Sequence, residues 1–100
     1  MLHLTLKGSN FNLVGKFRVF RIGPITDNAD RKSNGAGTGE SVTIDKIADD
    51  GVTLTITLTI YIPNSPADES KTQIFIPYDR ETTVALPNDT TLIAHLERKQ

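Results

Sequence analysis

The chain contains no cysteine, so neither a disulfide framework nor thiolate chemistry is open to it. It also lacks an excess of either charge: 11 basic residues stand against 12 acidic ones, for a net charge of -1. Such a balance gives no global attraction to nucleic acid or to an anionic membrane, and binding of that kind would need a local patch. No apolar run approaches the roughly 20 residues that a spanning helix requires. The opening, MLHLTLKGSNF, has no basic segment leading into a continuous apolar stretch. No secretory leader is therefore expected, and cytoplasmic residence is the default expectation. One hundred residues with 37% hydrophobic content suit a single domain. A chain of that length buries roughly two-thirds of its unfolded surface.

What the chain does have is alternation. Gly51 to Pro63 reads GVTLTITLTIYIP. Val52, Leu54, Ile56, Leu58, Ile60 and Ile62 share one parity, and Thr53, Thr55, Thr57, Thr59 and Tyr61 share the other. Successive side chains point to opposite faces of a strand, so the pattern predicts one face on a core and a threonine ladder opposite. Burying the six aliphatic side chains would contribute on the order of 10 kcal/mol before chain entropy is subtracted.

Shorter strands are predicted around it. Leu2, Leu4 and Leu6 alternate with polar residues before Gly8-Ser9-Asn10 ends the run. Asn12 to Ile25 reads as a strand whose parity slips between Val19 and Phe20, the mark of a bulge or of passage between sheets. Thr26 to Glu40 carries little apolar side chain and reads as a mobile loop, open to protease near Arg31-Lys32. Ser41 to Ile47 resumes the strand pattern, and Asp49-Asp50-Gly51 reads as a turn in which glycine supplies a positive φ. Asn64 to Glu69 suggests a loop with one helical turn, capped by Ser65 and started by Pro66. Thr72 to Tyr78 and Thr82 to Leu86 are further strands, and Thr90 to Gln100 fits a strand somewhat better than a helix. About seven strands at turn-punctuated intervals predict an all-β fold. The first choice is a two-sheet antiparallel sandwich with an immunoglobulin-like look, and the second is a small β-barrel.

Constellations that could carry chemistry are few. His3 and His95 lie on the first and last strands, yet zinc needs a third or fourth ligand that no cysteine can supply. The paired acids of the loops miss EF-hand spacing, because Lys32 or Ala29 falls where a calcium ligand belongs. Gly35-Ala36-Gly37-Thr38-Gly39 runs into a strand rather than a helix, and Glu40 replaces the lysine of a phosphate loop. No serine lies in a nucleophile elbow, and Asn88-Asp89-Thr90 is a glycosylation triplet short enough to arise by chance. MLHLTLK and GESVTI resemble pieces of the opening of carbon-storage-regulator proteins, which are small RNA-binding β dimers. In that family the two pieces run nearly together, and a basic residue stands where this chain has Leu6. No residue role is carried over from it.

The expectation is therefore a non-catalytic protein-binding or assembly module without cofactor or metal. It would act through a sheet face or edge, on a protein partner or a second copy of itself. The candidate surface is Thr53, Thr55, Thr57, Thr59 and Tyr61, a long, β-favouring and uncharged row. The alternative is nucleic-acid binding through Lys16, Arg18, Phe20 and Arg21, with Lys7 nearby, since cations interleaved with an aromatic suit phosphate and base contacts.

Overall fold

The computed structural model describes residues 1–9 and 11–98. Eight strands follow one another: β1 (Leu2–Lys7), β2 (Asn12–Phe17), β3 (Gly23–Arg31), β4 (Gly37–Ile47), β5 (Gly51–Tyr61), β6 (Asp68–Pro77), β7 (Glu81–Leu86) and β8 (Thr90–Leu96). They form two antiparallel sheets of four strands, with orders β2-β1-β8-β7 (sheet A) and β3-β4-β5-β6 (sheet B). This is a two-sheet sandwich, as the alternation predicts. Its likeness to immunoglobulin domains is one of architecture: sheet B is a plain meander, and sheet A joins two hairpins by pairing β1 with β8.

The strands pair as they do because each has a single apolar parity to hide. Leu2, Leu4 and Leu6 of β1 and Leu92, Ala94 and Leu96 of β8 face inward from sheet A. Val42 and Ile44 of β4, the four aliphatics Val52 to Leu58 of β5, and Ile74 and Ile76 of β6 meet them from sheet B. All of β5's inward residues up to Leu58 are at most 1% exposed. The row expected to continue through Ile62 stops there: Ile60 is half-buried and Ile62 is 45% exposed. Sheet A explains the difference. Its strands have 6 or 7 residues, whereas β4 and β5 each have 11, so sheet B overhangs its partner. The molecule is accordingly elongated, 48 × 23 × 18 Å.

Several expectations are corrected. Asn12 to Ile25 is not one strand: β2 ends at Phe17 in sheet A and the chain re-enters as β3 in sheet B, so the parity slip marks a change of sheet. The expected loop from Thr26 to Glu40 is a hairpin. Thr26 to Arg31 pairs with Val42 to Gly37, and Lys32 closes the tip by donating to the Ala36 carbonyl at 2.7 Å. Backbone pairing, which needs no apolar side chain, orders this segment. Asn64 to Glu69 forms a turn without helix, because Asn64 takes a left-handed φ of 58° and β6 already begins at Asp68. Thr90–Leu96 is a strand; Lys99 and Gln100, the end of that predicted segment, lie outside the described residues.

Candidate binding surfaces

The threonine row lies on the outer face of sheet B. β5 is flanked by β4 and β6, so it offers a face and no free edge, and strand addition at β5 is excluded. Thr53, Thr55, Thr57 and Thr59 are all half-buried by their neighbours in the sheet. Thr43 and Ser41 stand opposite Thr55 and Thr57 on β4, and Phe75 and Gln73 stand opposite Thr53 and Thr55 on β6. Asp45 joins this face through a bulge between Ile44 and Lys46. Its carboxylate accepts from the Thr55 hydroxyl at 2.5 Å and from the Gln73 amide at 3.2 Å, tying three strands together. Thr55 is thus internally engaged. At the overhanging end, the Tyr61 ring covers Gly39 and receives the Arg31 guanidinium at 4.3 Å. Lys71 and Glu69 pair with each other on β6 at 3.6 Å, leaving β5's own row uncharged.

Lys16, Arg18, Phe20 and Arg21 come together, but not on a sheet face. Lys16 is on β2, and the other three belong to the crossover from β2 to β3. Phe20 is 72% exposed and Ile22 is 64% exposed, so the aromatic is not a core residue. Arg21 lies 5.6 Å from the Phe20 ring centre. Lys7 is not part of this group: it pairs with Asn12 and Thr91, whereas Lys16 stands opposite His3. The second crossover, at Tyr78 to Arg80, contrasts with the first. Arg98 stacks on Tyr78 at 4.4 Å, meets Asp79 at 3.6 Å and donates to the Asp49 carbonyl at 2.9 Å. Among the described residues, no side chain from Arg18 to Ile22 makes a hydrogen bond or ion pair.

The two histidines are direct cross-strand partners on the outer face of sheet A, with ring centres 6.0 Å apart. Glu97 lies 3.3 Å from His3 Nε2 and 3.9 Å from His95 Nδ1, and Lys16 and Glu81 flank the pair along the same row. Among the described residues, no group of three or more His, Asp or Glu side chains is arranged to hold a metal ion. No described helix is long and apolar enough to cross a membrane.

No family model matches the chain, and neither a curated protein nor a solved structure does. Sequence reading missed two features of these surfaces. Asp45's role depends on a bulge that the alternating pattern does not announce. The exposure of Phe20 depends on where β2 stops, for which the parity slip at Val19-Phe20 was the available signal.

Proposed function

We propose that this chain is a non-catalytic module that binds a protein partner, or a second copy of itself, through the outer face of sheet B. The observation that carries this reading is the uncharged threonine row of β5, which no described element packs against. Threonine hydroxyls and methyls together suit a partner sheet that is half apolar and half hydrogen-bonding. The framework behind the face is a closed aliphatic core, so a partner would meet a surface already in place, without an ordering cost of the backbone.

The test is affinity capture from the source lysate after nuclease treatment, comparing the native chain with Thr57→Arg and Thr53→Arg. Both substitutions put a long cation onto the face without touching the core. A stoichiometric protein retained by the native chain and lost by the variants is the expected result, with sedimentation reporting self-association in parallel. Retention by the variants, or material lost on nuclease treatment, would overturn this reading; nuclease-sensitive material would direct attention to Lys16, Arg18, Phe20 and Arg21.

A further inference from the structure

The first crossover, held to the core by Val19, and the strand that leads into it form a second surface, which does not depend on the threonine face. β2 is an edge of sheet A, so one side of its backbone is unpaired among the described residues. Sheet edges are commonly guarded by proline or by several charges. β3 carries Pro24, Asp27 and Asp30, and β6 carries Asp68, Glu69 and Lys71 and ends in Pro77. β2, NLVGKF, has no proline and a single charge, Lys16. The other edge of sheet A, β7, likewise has one, Glu81, but only β2 of these two exposes a large aliphatic side chain, Val14 at 74%.

The chemistry beside that edge is predominantly cationic. The depression between Lys16 and Ile25 is lined by Lys16, Arg18 and Arg21 together with apolar residues, and by no carboxylate. On the other side of Phe20, a second depression adds Arg98 and a single acid, Glu97. In a chain of net charge -1 this is a local concentration of cations around exposed Phe20 and Ile22.

We propose that the β2 edge and the Arg18–Ile22 crossover dock an extended, acidic segment of a partner protein by strand addition. The partner's backbone would continue the sheet beyond β2, across about 20 Å for six residues. Apolar side chains of the segment would cover Val14, Phe20 and Ile22, and its carboxylates would pair with Lys16, Arg18 and Arg21. Charge complementarity selects an acidic occupant. The free strand edge selects a polypeptide over a nucleic acid, which has no ladder of amides to offer it. The geometry also differs from nucleic-acid platforms, in which several aromatics on a sheet face stack successive bases; here one exposed ring stands in a crossover.

The test is selection of random dodecapeptides displayed on phage against the full chain. Anisotropy titrations and amide shift mapping with the selected peptide follow. The expected outcome is enrichment of alternating apolar and acidic residues, with shifts concentrated in Asn12 to Ile22. Arg18→Glu should weaken binding by about tenfold or more, and added salt should weaken it further. Phe20→Ala, at a site too exposed to disturb folding, should also weaken it, whereas Thr57→Arg should leave it unchanged. Peptides without acidic enrichment, shifts on another edge, or no enrichment would overturn the proposal. So would a twelve-residue oligothymidylate that binds the same residues with a logarithmic salt slope of about -2 to -3, as neutralising three to four phosphates requires.

Discussion

Gly51 was expected to relax a turn, yet its φ is not positive, and the glycine is needed for a different reason. It pairs with Pro77, and an added Cβ would lie 2.3 Å from the Ile76 carbonyl oxygen and 2.6 Å from the Phe75 ring. Gly51→Ala should therefore separate β5 from β6 and cost roughly 1–3 kcal/mol, read from the urea midpoint. Gly39 has a milder version of the same role, since it makes room for Tyr61. Glu40, opposite Leu58 at the end of the covered inner face, has its carboxyl pushed above the usual range by burial, with the Asn28 amide pulling it partway back. A carboxyl raised on folding binds its proton more tightly in the folded state. Its drag on stability is therefore complete at neutral pH and fades as pH falls through the folded value towards the ordinary one. Glu40→Gln should thus stabilise the protein at pH 7 by a small amount, under roughly 1 kcal/mol for a partly exposed group. The advantage should vanish in acid unfolding titrations below about pH 4.

At the scale of the element, the β3–β4 hairpin shows what composition hides. Asn34 Oδ1 accepts from the Ala36 N–H at 3.0 Å, and Gly35, at φ 91°, supplies the reversal within the tip. With both arms laddered, trypsin should cut at Arg31 or Lys32 slowly, and amides along Thr26 to Arg31 that face β4 should resist hydrogen exchange. Rapid nicking of the folded protein would show that the arms part. Legibility in the sequence follows the same division. β5, β1 and β8 could be read because half of each strand must be buried, and burial demands aliphatics at every second position. β3 after Ile25, which packs against the core, could not, because an edge arm beyond the reach of sheet A needs only backbone partners, and Asp27, Asn28 and Asp30 satisfy it as well as valines would. Among the candidate residues, the threonine parity was legible and remained a face. The grouping of Lys16 with Arg18 and Phe20 was legible as proximity, but the strand that was to align them ends at Phe17. Arg98, which pins the second crossover, left no pattern at all. Arg98→Ala should loosen Tyr78 to Arg80 and lower stability by about 1 kcal/mol, measured by thermal unfolding.

For the whole molecule, the unequal sheets divide the protein into a doubly covered part and a projecting part. Leu54→Ala, in the covered part at 0% exposure, should cost about 2–5 kcal/mol in a single cooperative transition. The projecting part should exchange its amides more readily than that global value. Both crossovers lie at the other end, together with the two ends of the described chain. There the Met1 amino group donates to the Glu97 carbonyl at 3.0 Å, and the Glu97 N–H returns a bond to Met1 at 2.9 Å. The backbone path is therefore almost a closed ring. A short Gly-Ser bridge between those ends, with a new opening cut at the Lys32 to Ala36 tip, should yield a circular permutant with the same fold, because neighbouring ends permit such rewiring. Cargo joined at Met1 or directly after Arg98 would sit beside the crossovers, and cargo on the permutant would sit at the opposite pole.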